Sequence, residues 1–267
     1  MKLRDTLWIW GQDPGSHHAV GGNAWKLPGV NRMGPLEGCR YLGIPNCCRV
    51  VMGGSPEPPF DHEADLLAPL GQVVWSLIGD SGSKRNNDGT DLEEVIRVAA
   101  SHPNITGGIM DDFMNPTRMK LFTPEVLAGF RERLHTALPG RPLDFWTVLY
   151  THELTPAAVP YLAQVDRISL WTWHGRDLPA LPQNLEKLRS LVGTAKPVLC
   201  GCYLWDYGAC APLDPAWMAF QLDTYLAWLR ERRIDGVIFC SNCIADVGIE
   251  AAETARAWIA AHGDEEI

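Results

Sequence analysis

A chain of 267 residues that is 46% hydrophobic and 21% charged has the composition of an ordinary globular protein, long enough for one large core or two modest ones. A formal net charge of -9 and a pI near 5.3 argue against nucleic acid or an anionic membrane surface as a partner, since both call for a clustered basic face. No apolar run reaches the ~18 residues of a membrane span. The start MKLRDTLWIWG lacks the apolar core and small-residue cleavage site of a signal peptide, so a cytoplasmic protein is expected.

In chain order, the first strand-like run is LWIWG (7–11). It opens a glycine-rich loop over 11–34 that carries Asp13, Asn23 and Trp25, far longer than the usual two to six residues of such a connection and therefore a candidate lid. YLGIPNCCRVVM (41–52) follows, with Asn46 inside it, then QVVWSLIGD (72–80), which ends in Asp80. NITGGIMDDF (104–113) runs apolar into the adjacent acids Asp111 and Asp112, with Pro116 stopping it beyond. LDFWTVLYTHEL (143–154) ends with His152 and Glu153, and VDRISLWTWHG (165–175) with Trp171, Trp173 and His174. KPVLCGCYLWDYG (196–208) brings Trp205, Asp206 and Tyr207, and IDGVIFCSNC (234–243) brings Asn242.

Between these runs, helix starts are marked by a capping residue followed by proline at Thr123-Pro124, Thr155-Pro156 and Asp214-Pro215. Apolar positions recur at helical spacing in Leu127, Phe130, Leu134 and Leu138, and again in Met218, Leu222, Tyr225 and Leu229. Eight nearly continuous apolar strands alternating with helices predict a parallel sheet covered on both faces. At this length the prediction is an α/β protein with a closed parallel (β/α)8 barrel, a single domain over 1–267. An open doubly wound sheet is the runner-up, disfavoured because no strand leads into a GxGxxG turn.

In such a barrel the chemistry gathers at the C-terminal strand ends, and there the sequence places acids and aromatics. The opposite ends begin with Gln72, Asn104, Asp144, Asp166, Lys196 and Asp235, a polar set without aromatics. Indole suits the C–H face of a sugar ring as well as a protein core. Trp8, Trp75 and Trp146 are expected to pack in the core, whereas Trp173 and Trp205 are expected at the mouth. Trp171 and Trp173, two apart, share the face that points into the barrel.

The strand-four end GGIMDDF, the strand-six end WTWHG and the strand-seven end YLWDYG together resemble a carbohydrate-active (β/α)8 barrel of the glycoside hydrolase type. No Asn-Glu at strand four, no DxxDxDxE and no glutamate ending strand seven is present, so no particular family is named. The resemblance implies that Asp111 or Asp112 is an essential carboxylate, since many such barrels carry one at the end of strand four. Breaking a glycosidic bond takes one carboxylic acid and a second carboxylate, and crowding two acids in a dry pocket raises the pKa of one of them. On a regular strand Asp111 and Asp112 point to opposite faces, so only one faces the sugar, with Asp112 favoured and Glu153 or Asp206 supplying the second group. The alternative for the aspartate pair is that one caps the following turn and the other pairs with a lysine or arginine, and for Glu153 that it caps the helix at Thr155 or lies on the surface.

The expected ligand is a small carbohydrate or oligosaccharide, held by Asp13, Asn23, Trp25, Asn46, Asp80, His152, Trp171, Trp173, His174, Trp205, Tyr207 and Asn242, with no cofactor or metal required. Two rival readings stand beside a glycosidase. His17, His18, His152 and His174 with Asp80, Asp111 and Glu153 would suit a metal-dependent barrel hydrolase or sugar isomerase, and the aromatic surface alone would suit a non-catalytic sugar-binding barrel. The eight cysteines read as buried free thiols; a lone Cys240-to-Cys243 CxxC is a weak zinc signal. MGGSPEPP and GDSGSKRNNDG, the latter with Lys84 and Arg85, offer loop amides to a phosphate but fit no P-loop and read as ordinary loops.

Overall fold

The structure, a computed structural model, describes residues 1–82 and 90–267. Eight parallel strands close into a barrel: β1 (Leu7–Gly11), β2 (Asn46–Arg49), β3 (Gln72–Ile78), β4 (Ile105–Met110), β5 (Asp144–Tyr150), β6 (Arg167–Trp171), β7 (Val198–Tyr203) and β8 (Gly236–Cys240). Neighbours in the barrel are neighbours in sequence, and β8 closes on β1 through Leu7 opposite Val237. Each of the eight apolar runs supplies one strand, because a strand buried on both faces has no polar alternation to show.

Helices cover the outside. Thr123-Pro124 and Asp214-Pro215 start the helices Pro124–Thr136 and Pro215–Arg230, and Thr155-Pro156 starts a single 3-10 turn. The second of these helices buries Met218, Leu222, Tyr225 and Leu229, whereas in the first Phe130 is only partly buried and Leu138 lies past the helix end. Pro116 also opens a helix, Pro116–Leu121, whose backbone amides at Thr117 and Arg118 donate to the Asn115 side chain (3.1 and 3.0 Å). Trp75 and Trp146 lie in the core at 0% and 2% exposure. All eight cysteines are free, and only Cys210 is not buried. No helix among the described residues is long and apolar enough to cross a membrane.

Two local irregularities shape the mouth. The ladder between β3 and β4 shifts register between Ser76 and Ile78, a bulge at the acid-bearing end, where an inserted residue re-aims the side chains that follow. On β7, a Cβ at Gly201 would lie 2.0 Å from the Trp171 ring. Glycine there leaves the space that the indole occupies. Lys84 and Arg85, raised above as a phosphate candidate, lie outside the described residues.

Candidate active site

The C-terminal ends of β3 and β4 place three carboxylates around one cavity of about 280 Å3, lined among others by Asp80, Asp111 and Asp112. The expectation of opposite faces for the acid pair is overturned. The strand ends at Met110, and Asp112 takes a left-handed backbone at φ 44°, so the chain turns and both carboxylates reach the same space. The Asp112 amide donates to Asp111 Oδ1 (2.8 Å), while Asp112 itself accepts from the Tyr150 hydroxyl (2.9 Å) and the Ser81 amide (3.0 Å). Asp80 accepts from the Gly53 and Gly82 amides (2.8 and 3.0 Å). Behind the acids, the buried Arg118 donates to the backbone carbonyls of Gly79, Asp80 and Asp111 (2.6, 2.8 and 2.8 Å). It ties the two acid-bearing turns together as a positioning residue.

Burial sets the electrostatics. Asp111 is pushed well above the usual carboxylate range by desolvation first and by the neighbouring charges of Asp112 and Asp80 second. Asp80 is raised by burial, against its two amide donors. Tyr150 and Tyr203, at the ends of β5 and β7, are also raised by burial, so the Tyr150 phenol keeps its proton and donates it as a hydrogen bond. These two tyrosines and Arg118 were not singled out from sequence, whereas Gln12, read there as a strand-end residue, lines the cavity. A tyrosine closing an apolar strand reads as core, and its place as the last strand residue was the available signal.

Aromatic rings form the walls. Trp171 stands edge-on to Trp10 (5.3 Å) and tilted to Tyr203 (4.9 Å), and Trp173 is edge-on to Tyr150 and Tyr203 (6.0 and 5.7 Å). Trp171 Nε1 donates to Ser169 (3.0 Å), as expected of side chains two apart on one face. From the first loop, Val20 and Trp25 reach the cavity, with Trp25 edge-on to Tyr207 (5.1 Å). His17 is buried against the Tyr207 hydroxyl (2.7 Å), and desolvation, then His18, lowers its pKa to about 3, so the imidazole is neutral.

A second compartment of about 280 Å3 adjoins the first and shares Ser81, Asp112, Tyr150 and Trp173 with it, adding Asn115, His152 and Glu153. Glu153 accepts from the Tyr150 amide (2.8 Å). Desolvation raises its pKa to about 7, opposed by that amide and assisted by the charge of Asp112. His152 stacks on Tyr150 at 5.5 Å.

Other residues expected at the ligand lie elsewhere. Asn46 starts β2, at the end of the barrel opposite the mouth, where it donates to the carbonyls of Asp5 and Leu7 (2.9 and 3.0 Å). Asp206 caps a turn, accepting from Gly175 and Ala209 (3.0 and 2.9 Å). The His174 ring packs over Gly208. Asp13 pairs with Arg49 and accepts from Ser55. Asn23 holds both backbone groups of Leu27 (2.9 and 2.8 Å). Asn242 spends its amide on Gln12 and Met33 (2.8, 2.8 and 2.7 Å), and Trp205 donates to the Trp25 carbonyl (3.0 Å). These residues hold the first loop and the strand ends in place.

The four histidines do not converge. His18 meets the Pro28 carbonyl (3.0 Å) while His17, His152 and His174 sit in separate surroundings, and no group of three His, Cys, Asp or Glu among the described residues is arranged to hold a metal ion.

No protein-family model matches the chain, and no curated protein matches it. Among solved structures it is similar to the spore cortex-lytic enzyme SleL of Bacillus cereus, with TM-score 0.58 and 11% identity over 97% of this chain and 74% of that one. It is also similar to a GH18 chitinase from Pseudoalteromonas aurantia, with TM-score 0.57 and 11% identity over 95% and 99%. A third is the endo-beta-N-acetylglucosaminidase from Cordyceps militaris, with TM-score 0.57 and 12% identity over 97% and 90%. At these identities the likeness is one of fold, the closed parallel (β/α)8 barrel that the eight strand-like runs predict.

Proposed function

We propose that the chain is a carbohydrate-active hydrolase that breaks a glycosidic bond at the mouth of the barrel. The observation that carries this reading is the convergence of Asp80, Asp111 and Asp112 with the Tyr150 hydroxyl in an aromatic-walled cavity, the acids forming no ion pair among the described residues. Gathering carboxylates in a dry site costs stability, which a core would avoid and which acid–base chemistry requires.

In this reading Asp112, at the junction of the two compartments, is the essential carboxylate. Its negative charge, fixed by Tyr150 and the Ser81 amide, faces the positive charge that develops on the sugar ring as the bond breaks. Glu153, raised to about 7, is the acid: its proton passes to the leaving oxygen as the carbon–oxygen bond opens, and water then supplies the hydroxyl to the sugar carbon and its remaining proton to the Glu153 carboxylate, which restores the acid. Asp111, its carboxyl raised by burial, accepts from the Asp112 amide and positions its neighbour. The sugars lie against Trp171, Trp173, Trp25 and Tyr207, whose flat faces match C–H surfaces.

The test is turnover of aryl glycosides by the native protein and by Asp112→Asn. The variant should lose about 10²-fold or more in single-turnover rate while ligand affinity largely survives, as expected when a group acting in the transition state is removed. A native protein that binds sugars without turnover would defeat the hydrolase reading and leave a carbohydrate-binding barrel.

A further inference from the structure

We infer that the hydrolysis is exo-acting, with the inner compartment taking a single terminal sugar ring and the outer compartment its leaving group; this rests on the glycosidase reading above. The two compartments meet across Asp112, Tyr150 and Trp173, so a substrate spanning both presents one bond to Asp112. The positive charge of the transition state develops on the ring that carries the reacting carbon. Asp80 and Asp111 line only the inner compartment, and that ring, the non-reducing unit, belongs there.

Among the described residues the inner compartment has both a floor and a roof. Trp10, Trp171 and Cys240, all buried strand-end residues, form its floor. Its roof is the first loop, through His17, Val20 and Trp25. That roof is fastened, by Trp205 Nε1 to the Trp25 carbonyl (3.0 Å), by His17 to Tyr207 (2.7 Å), and by the buried Asn31 amide to Asp246 (2.6 Å) and the Asn242 carbonyl (2.9 Å). A volume of about 280 Å3 sits just under the ~300–1,000 Å3 range of small-molecule sites, room for one ring and not for a continuing chain. The outer compartment is walled by Asn115, His152 and Glu153, none of them buried and His152 exposed, so a polymer continues from there into solvent.

Matched pairs of 4-methylumbelliferyl mono- and disaccharide glycosides, spanning gluco, galacto, manno and N-acetylglucosamine types, decide the matter. Expected, for at least one pair, is fluorophore release from the monosaccharide glycoside without a lag. The disaccharide glycoside should release fluorophore only after a lag, with free monosaccharide appearing first. Immediate release of intact disaccharide, with the monosaccharide glycoside refused, would overturn the inference and leave the glycosidase reading standing. No cleavage of any pair would overturn the glycosidase reading, and this inference with it.

Discussion

The two ends of the barrel use the same residue type in opposite ways. At the end opposite the mouth Asp166 meets Arg131 and His135 (2.8 Å each) and Asp144 meets Arg167 (2.8 Å). Burial alone would raise Asp166, but His135, the Phe145 amide and Arg131 outweigh it and hold the carboxyl below its ordinary value. At the mouth, Asp80, Asp111 and Glu153 are raised, burial being the first cause in each. Charge at one end is neutralised locally and serves the fold. At the other end burial shifts the carboxyls upward, toward the protonated form.

Three substitutions would sharpen or break that contrast. The largest effect is expected from Glu153→Gln. If Glu153 is the acid, its raised pKa of about 7 gives the native kcat/KM a basic limb near that pH, because activity needs the protonated form. The variant should lose about 10²-fold in rate on poorly activated substrates and lose the limb with it. In Asp112→Asn, where a neighbouring negative charge is gone, the residual activity should show the limb at lower pH. A pH profile unchanged in Glu153→Gln would remove Glu153 from the chemistry.

Asp166→Asn should come next, and in stability alone. It breaks two pairings and weakens the acceptor of the Phe145 amide (2.8 Å), for a loss of about 2 kcal/mol or roughly 5 °C in Tm, with turnover unchanged. The sign follows from a depressed carboxyl pKa. Its contribution is present above the ordinary value of 3.8 and lost as pH falls through the folded value, so native and variant melting curves should converge in acid.

The smallest effect is expected from Asp111→Asn, and in the opposite direction. A raised carboxyl stabilises the fold only below the ordinary value of 3.8, and that contribution is lost as pH rises through the folded value. An amide escapes this loss while still accepting from the Asp112 amide. The variant should melt about 3 °C higher than the native protein at pH 8, about 1 kcal/mol, and show little difference below the ordinary carboxyl value of 3.8. A variant that melts lower at pH 8 would mean that Asp111 is a paired structural carboxylate like Asp166.

The barrel was legible because its strands are buried on both faces and its helices open with capping residues and prolines. Individual ends were less so. The run 41–52 was read as one strand, yet the helix Pro35–Leu42 ends at Gly43 in a left-handed conformation and β2 begins only at Asn46, which moves Asn46 from the mouth to the floor. Asp206 looked like a second acid because flanking aromatics mark sugar sites, but its partners are backbone amides 3 and 31 residues away, and the second of these cannot be read from local sequence. Asp111 and Asp112 were separated by the alternation rule, which holds only while the backbone stays extended. The bulge beside Ser76 and the turn at Asp112 come from tertiary pairing and end that rule where it mattered.

Gly201 gives the cavity wall a hidden adjustment. The Trp171 indole lies where a side chain on the adjacent strand would otherwise stand, with 2.0 Å between its ring and the nearest position a Cβ could take. A single methyl group added at 201 has nowhere to go but against that ring, and the indole bounds the cavity on its other side. The capacity of the cavity is therefore written partly in a residue outside its lining, so that alanine or serine there would leave a smaller space beside the same acids.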